Sequence, residues 1–195
     1  MFSGPSGCGK GTVLKELMAQ DENIFYSVSA TTRKPRPGEE HGIHYYFLEN
    51  SEFEQLIEQD GMLEYARYVE NYYGTPKKAV YEQIENGKDV VLEIEVQGAM
   101  QVKEKCPDAV FIFVMPPSME ELRRRLVDRK TEDMETINHR LSTAVNEMRY
   151  ADRYDYVVVN DTVTEAVNRI SAIIQAEKNR VSRMNDFIEE VLKNA

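Results

Sequence analysis

The sequence has few cysteines, no tryptophan and no long apolar run. Its 195 residues include two cysteines, and one of these lies inside a glycine-rich stretch. Two such cysteines do not make a disulfide framework, so we expect the reducing conditions of the cytoplasm. We find no signal peptide and no run of about 18 apolar residues, so we expect neither secretion nor a membrane partner.

Positive charge is also scarce. The formal net charge of −10 argues against a nucleic-acid polymer as partner, because such a partner requires a broad basic face. It does not exclude a nucleotide, since a few local arginines can build a positive pocket on an acidic protein. The length and the ordinary apolar and charged fractions predict one domain with a sizeable core.

The dominant feature is a glycine-rich stretch over residues 3–12, which fits the phosphate-loop pattern G-x-x-x-x-G-K. Glycines allow successive backbone N–H groups to face an anion, and the helix that follows adds the positive end of its dipole. The alternative is a chance glycine-rich turn before a helix. We predict that the ATP phosphates are bound by Gly4, Pro5, Ser6, Gly7, Cys8, Gly9, Lys10, Gly11 and Thr12.

Three residues of this loop need a separate interpretation, because two of them depart from the usual pattern and one is a cysteine. A serine or threonine usually follows the lysine and binds Mg²⁺, but Gly11 stands there and the hydroxyl comes from Thr12, as in adenylate-kinase-like loops. Thr12 is therefore the predicted magnesium contact. Cys8 is interpreted as a small loop residue, and a thiol whose pKa is lowered by the helix dipole is the less favoured alternative.

Strand-like and helix-like segments alternate along the chain, which predicts an α/β fold with a doubly wound parallel sheet. Only residues 1–3 precede the loop, so we expect an almost absent first strand and a loss of stability. Residues 71–76 are predicted to form a turn, and residues 90–96 a strand. A capping box at residues 51–54 is predicted to open one helix, and the chain is predicted to be helical from about residue 164 to its end.

Several side chains outside the loop suit nucleotide chemistry. Arg33 and Arg36, held three residues apart around a proline, indicate a second anion site or else a solvated basic loop. Tyr45 and Tyr73 are interpreted as flanking a planar ligand or donating to a phosphate, the alternative being half-buried packing. A carboxylate such as Glu64 suits guanine, whose base edge offers two adjacent donors.

Charged residues elsewhere carry further interpretations. Glu93 and Glu95 alternate on one predicted strand face, either as a ligand-binding pair or as a polar face covered by a helix. The arginine-rich segment over residues 123–140 either delivers cations to a transferring phosphoryl group or forms a solvated helix face.

Taken together, these stretches resemble guanylate kinase. The matching segments, in family order over nearly the whole chain, are residues 4–10, 27–36, 71–74, 92–98 and 159–161. The resemblance implies a nucleoside monophosphate kinase that transfers the γ-phosphate of Mg·ATP to GMP, giving ADP and GDP. A non-catalytic binding module of the same fold, or a kinase for a different base, are the alternatives. The intact Gly9 and Lys10 disfavour the first alternative, and Glu64 disfavours the second.

The resemblance also implies residue roles on the GMP side. The positions that match those holding the GMP phosphate are Ser29, Arg33, Arg36, Tyr45 and Tyr73. The positions that match those reading the guanine are Glu64, Thr75 and Glu95.

On the ATP side, Lys10 matches the lysine of the phosphate cradle, and Asn160 matches a position beside adenine. Arg129 and Arg140 match lid arginines that grip the transferring phosphoryl group. The implied domain is a P-loop core with two inserted pieces. Its parts are the core (residues 1–29, 88–118 and 152–195), a GMP-binding segment (30–87) and a helical lid (119–151).

Overall fold

The computed structural model describes residues 1–128 and 133–194. Within these ranges the elements follow one another in chain order as β1 (Phe2–Ser3), α1 (Lys10–Gln20), β2 (Ile24–Tyr26), β3 (Ala30–Thr31), β4 (Tyr46–Phe47), α2 (Asn50–Glu58), β5 (Met62–Tyr68), β6 (Asn71–Pro76), α3 (Lys77–Glu85), β7 (Asp89–Val91), α4 (Val96–Lys105), β8 (Ile112–Met115), α5 (Met119–Asp128), α6 (Met134–Met148), β9 (Tyr156–Val159), α7 (Val163–Lys178) and α8 (Asn185–Lys193). No helix in these ranges is long and apolar enough to cross a bilayer.

Parallel strands form the core sheet, which consists of β2, β7, β1, β8 and β9. β1 pairs with β8, β8 pairs with β9, and β2 pairs with β7, all in parallel. The amide of Phe2 donates to the carbonyl of Leu92, and the amide of Ile94 donates to the carbonyl of Phe2, which joins β7 to β1. The predicted α/β class is confirmed.

Helices cover both faces of the core sheet. Successive side chains of β8 point to opposite faces, so each face has apolar side chains against which helices pack. Ile112 and Val114 pack in one buried cluster with Leu17 of α1 and Ile170 of α7. Phe111 and Phe113 pack in a second cluster, on the opposite face, with apolar side chains of α4 and β5. The unbroken apolar sequence of this segment is thus explained by a strand buried on two sides.

A small sheet of four strands lies beside the core, in the order β4, β3, β6 and β5. β5 and β6 are antiparallel, and Val69, with a positive φ of 56°, lies in the turn between them. The prediction of a turn at residues 71–76 is therefore wrong, because these residues form β6. Gly74 allows the two strands to approach closely, since a Cβ there would lie 2.6 Å from the carbonyl oxygen of Glu64.

Three boundaries differ from the sequence-based predictions. The strand predicted at residues 90–96 ends at Val91, and α4, which the pattern did not indicate, begins at Val96. The capping box of α2 uses Glu49 with Glu52 rather than a cap at Ser51. The C-terminal helix is interrupted after Lys178, so that α8 is a separate helix.

A matched pair of leucines tests this packing. Leu17 is fully buried between α1 and α7, so Leu17→Ala is expected to lower the free energy of unfolding by about 2–5 kcal/mol. Leu192 on α8 is 68% exposed, and Leu192→Ala is expected to change it by less than about 0.5 kcal/mol. Denaturant unfolding measures both, and equal losses would contradict the described core.

Candidate active site

The glycine-rich loop connects β1 to α1 and packs tightly against the core sheet. Gly4 has a φ of 151°, and a Cβ at this position would lie 2.1 Å from the carbonyl oxygen of Val114. Gly9 caps α1 in the left-handed region with a φ of 92°, and its Cβ would lie 2.6 Å from the side-chain nitrogen of Asn160. These two positions explain why the loop requires glycine.

Lys10 begins α1 and folds back over the loop. Its Nζ atom donates to the carbonyl oxygen of Gly4 at 2.7 Å and to that of Pro5 at 3.3 Å. The ammonium is thereby held at the mouth of the loop, at the place where a loop lysine meets phosphate oxygens.

Two side chains hold the loop from behind. Asn160 Nδ2 donates to the carbonyl of Cys8 at 2.8 Å, and Asn160 is only 3% exposed. Arg125 donates from Nη1 to the same carbonyl at 3.2 Å and from Nη2 to the carbonyl of Asn160 at 2.9 Å. Asn160, predicted beside adenine, thus lies beneath the loop in direct contact with it. Arg125 belongs to the arginine-rich segment considered from the sequence, but no contact with the loop was predicted for it, and this contact crosses 117 positions of sequence.

Burial decides the chemistry of Cys8. Its side chain is fully buried, and this burial raises the pKa of the thiol above its ordinary value, although Lys10 acts in the opposite direction. The less favoured alternative, a thiol with a lowered pKa, is therefore wrong. The interpretation of Cys8 as a small loop residue agrees with its position.

Helix α6 presents two charged residues to the loop. Arg140 donates from Nη2 to Ser6 Oγ at 2.7 Å. Glu147, seven residues further along the helix, lines the same cavity as Lys10, and burial raises the pKa of its carboxyl group. Among the described residues, its Oε2 atom is buried without a hydrogen-bond partner. Arg129, the other predicted lid arginine, lies outside the described residues.

Thr12 and Glu93 line the same cavity at the loop. Thr12 lies exposed in the first turn of α1 and lines an open cavity of about 640 Å³ together with Gly9, Lys10 and Glu93. A Cβ on Gly11 would lie 3.9 Å from Glu93 Oε2, so this carboxylate faces the loop. Of the two strand carboxylates considered from the sequence, Glu93 is the one beside the loop.

The second predicted anion site lies at the small sheet. The guanidinium of Arg33 lies over the ring of Tyr45, with 5.6 Å between Cζ and the ring centroid. The rings of Tyr45 and Tyr73 meet edge to face with centroids 6.3 Å apart, and burial raises the pKa of Tyr45. Arg36 is exposed on the same loop. The predicted phosphate-binding tyrosines and Arg33 are therefore neighbours.

Arg33 already has a carboxylate partner. Its Nη1 and Nη2 atoms donate to Oε2 and Oε1 of Glu39, both at 2.9 Å. The backbone amide of Arg36 donates to Glu39 Oε2 at 2.7 Å. These bonds lower the pKa of Glu39 to about 2, and the bond from Arg33 contributes most to this shift. The sequence analysis assigned Glu39 no role.

Glu64 lies on β5 and is 6% exposed. Thr75 Oγ1 donates to its Oε1 atom at 2.7 Å, while Oε2 lies so close to Gly98 that a Cβ there would be 2.7 Å away. Burial raises the pKa of Glu64, and the nearby charge of Glu95 raises it further. The cavity at this carboxylate measures about 310 Å³, and its lining includes Ser29, Tyr45, Glu64, Tyr73 and Glu95.

A third cavity of about 340 Å³ connects the two sites. It shares Ser6 and Lys10 with the loop cavity, and it shares Ser29, Tyr45 and Glu95 with the cavity at Glu64. The loop cavity, the middle cavity and the carboxylate cavity are therefore adjacent and share lining residues. This arrangement leaves room for two ligands placed end to end.

Comparison with known proteins agrees with this geometry. A sequence model of the family described as guanylate kinase matches residues 1–177. The chain is 56% identical over 194 residues to the guanylate kinase of Latilactobacillus sakei subsp. sakei (strain 23K), covering 98% of this chain and 95% of that protein. It is also 56% identical over 183 residues to the guanylate kinase of Desulfitobacterium hafniense (strain Y51), covering 94% and 92% respectively. The crystal structure of guanylate kinase from Anaplasma phagocytophilum matches with a TM-score of 0.72 at 38% identity, covering 93% of this chain and 86% of that one.

The two cysteines provide a chemical test of the loop. Cys8 is buried with a raised pKa, whereas Cys106 is partly exposed. A thiol reagent at neutral pH is therefore expected to modify Cys106 first and Cys8 much more slowly, because both access and thiolate formation are limited at Cys8. Mass spectrometry of the labelled peptides measures this order, and faster labelling of Cys8 would contradict the described loop.

Proposed function

The chain belongs to the guanylate kinase family, and we propose that its glycine-rich loop holds ATP while the cavity at Glu64 holds GMP. The enzyme phosphorylates GMP to GDP with ATP as the donor. The observation that supports this placement is the row of adjacent cavities: the middle cavity shares Lys10 and Ser6 with the loop cavity, and it shares Tyr45 and Ser29 with the cavity at Glu64.

We propose that catalysis depends on positioning and charge neutralisation. Phosphoryl transfer in line between two bound nucleotides requires no protein nucleophile. Lys10 and the loop amides hold the phosphates of ATP, and Arg140 approaches the transferring group from α6. The contact of Arg140 with Ser6 at 2.7 Å supports this role, because it places the guanidinium at the loop. Arg129 is proposed for the same task.

The GMP phosphate is proposed to contact Ser29, Arg33, Arg36, Tyr45 and Tyr73, and the guanine to contact Glu64, Thr75 and Glu95. Each carboxylate oxygen accepts up to two hydrogen bonds. Because Thr75 occupies only one site on Oε1, Glu64 can still accept from the N1–H and N2–H₂ groups of guanine. Adenine lacks this donor pair and would leave the other acceptor sites of the buried carboxylate unsatisfied, at a cost of about 1–3 kcal/mol.

A divalent cation is proposed to be Mg²⁺, with Thr12 as its protein contact and Glu93 beside it. Both residues line the loop cavity, and oxygen donors are the ligands that Mg²⁺ prefers. Among the described residues, no group of three or more His, Cys, Asp or Glu side chains could hold a metal alone. Phosphate oxygens and water would therefore complete the coordination. When bound, the ion neutralises phosphate charge.

We further propose that residues 30–87 and 119–151 move as two units against the core. Closure of such segments excludes water and so suppresses ATP hydrolysis. The cellular location is proposed to be the cytoplasm, since Cys8 and Cys106 are both free thiols.

The proposed placement is tested by ADP release with three acceptors. GMP is expected to support turnover, whereas AMP and UMP are expected to give a kcat/KM lower by roughly 100-fold or more, because neither offers the guanine donor pair. A coupled assay at saturating ATP measures all three. Equal values for GMP and AMP would contradict base reading by Glu64.

Lys10 is tested by removing its charge. Lys10→Met is expected to lower kcat by roughly 10²–10³-fold, because a cation facing the transferring phosphoryl group stabilises its developing charge. Lys78, whose side chain is 87% exposed on α3, provides the control variant Lys78→Met, with kcat unchanged. An unchanged kcat in Lys10→Met would remove Lys10 from the mechanism.

Glu64 is tested through pH. The carboxyl group of Glu64 must be ionised to accept both hydrogen bonds from guanine, and its pKa is raised. As the pH is lowered, KM for GMP is therefore expected to start to increase at a higher pH than it would with a carboxyl group of ordinary pKa. The GMP phosphate itself titrates near pH 6. The GMP phosphate contributes equally to both enzymes, so the ratio of KM in Glu64→Gln to KM in the unchanged enzyme cancels that contribution. This ratio is expected to fall as the pH is lowered, because protonation of Glu64 raises KM only in the unchanged enzyme. A pH-independent ratio would contradict the assignment.

A further inference from the structure

We propose that Glu39 is a positioning residue for the known reaction, which fixes the guanidinium of Arg33 so that one defined edge is presented to the phosphate of GMP. The inference rests on the proposed function, because it assumes that this phosphate binds at Arg33. Glu39 itself does not touch the substrate in this account.

The contact between the two side chains has the geometry of a paired fork. Nη1 and Nη2 of Arg33 donate to the two carboxylate oxygens of Glu39, both at 2.9 Å. Only 17% of the Arg33 side chain and 19% of the Glu39 side chain is exposed. Two parallel bonds between partly buried groups fix the plane of a guanidinium, which a single bond does not.

One edge of the Arg33 guanidinium is left unused by Glu39 and Lys34. A guanidinium has five N–H groups. Glu39 takes one from Nη1 and one from Nη2, and the carbonyl of Lys34 takes the second from Nη1 at 2.7 Å. Neither Glu39 nor the carbonyl of Lys34 takes the Nε–H or the second Nη2–H, and these two lie on one edge with the spacing that binds phosphate through parallel bonds.

The surroundings of Arg33 agree with this orientation. The Tyr45 and Phe47 rings flank the guanidinium, with their centroids 5.6 and 5.8 Å from Cζ. The hydroxyl of Tyr73 also interacts with Arg33, and together with Glu39 it raises the pKa of the guanidinium. The guanidinium thus lies beside Tyr45 and Tyr73, both of which line the cavity at Glu64.

Glu39 also closes the loop that carries both arginines. Arg36 N donates to Glu39 Oε2 at 2.7 Å, and Glu39 N donates to the carbonyl of Arg36 at 3.0 Å. The carboxylate therefore sets the backbone at Arg36 and the side chain at Arg33 together. If the carboxylate of Glu39 instead occupied the phosphate position, it would compete with GMP, and its removal would lower KM for GMP.

The test compares Glu39→Gln with Glu40→Gln. An amide has one acceptor oxygen and one NH₂ group, so it cannot form two parallel bonds with the Nη atoms, and Arg33 loses its fixed plane. Glu39→Gln is expected to raise KM for GMP roughly tenfold or more, with KM for ATP and kcat changed less than about twofold. The exposed neighbour Glu40 is the matched control, and Glu40→Gln is expected to leave KM for GMP unchanged.

Guanosine distinguishes positioning from a general loss of structure. It carries the base without the phosphate, so its inhibition constant is expected to be unchanged in Glu39→Gln. An unchanged or lowered KM for GMP would overturn the proposal. A parallel rise in KM for GMP and in the inhibition constant of guanosine would overturn it as well, because the effect would then extend beyond the phosphate.

Arg33→Met separates this inference from the proposed function. If Arg33→Met raises KM for GMP and Glu39→Gln does not, only the role of Glu39 fails. If Arg33→Met leaves KM for GMP unchanged, the placement of GMP itself fails. If both single variants raise KM for GMP, the double variant is expected to have a KM for GMP no higher than that of Arg33→Met, because Glu39 acts only through Arg33.

Discussion

The site depends on the close approach between the glycine-rich loop and β8. A Cβ at Gly4 would lie 2.1 Å from the carbonyl oxygen of Val114, so only glycine allows the loop to lie against this strand. Asn160 and Arg125 then fix the loop from behind through the carbonyl of Cys8. These donors satisfy the carbonyl of Cys8 and restrain the loop, while Lys10 donates to the carbonyls of Gly4 and Pro5.

A net charge of −10 is compatible with the proposed binding of two nucleotides, because three of the cations that the structure describes near the cleft are local and restrained. Lys10 is held by the carbonyl of Gly4, Arg33 by the carboxylate of Glu39, and Arg140 donates to Ser6 Oγ. Groups that are already oriented lose less conformational freedom when a phosphate binds. A small number of positioned cations thus replaces the broad basic face that nucleic-acid binding requires.

Much of this could be predicted from the sequence, because the family's motifs are local and the α/β class follows from alternating patterns. The exceptions depend on contacts between distant segments. Residues 71–76 contain a glycine and a proline, which favour a turn locally, but pairing with β5 and β3 makes them a strand. The contact of Arg125 with Cys8 spans 117 positions. The fork between Arg33 and Glu39 depends on side-chain orientation, which residue spacing alone does not specify.

The central claim is that two nucleotides lie end to end in one cleft, and a crystal structure with GMP and a non-hydrolysable ATP analogue tests it most directly. The account predicts the guanine against Glu64, its phosphate against Arg33 and Tyr45, and the phosphates of the analogue along the loop below Lys10. A GMP molecule bound away from Glu64 and Arg33, or an analogue whose phosphates do not contact the loop amides, would contradict the account.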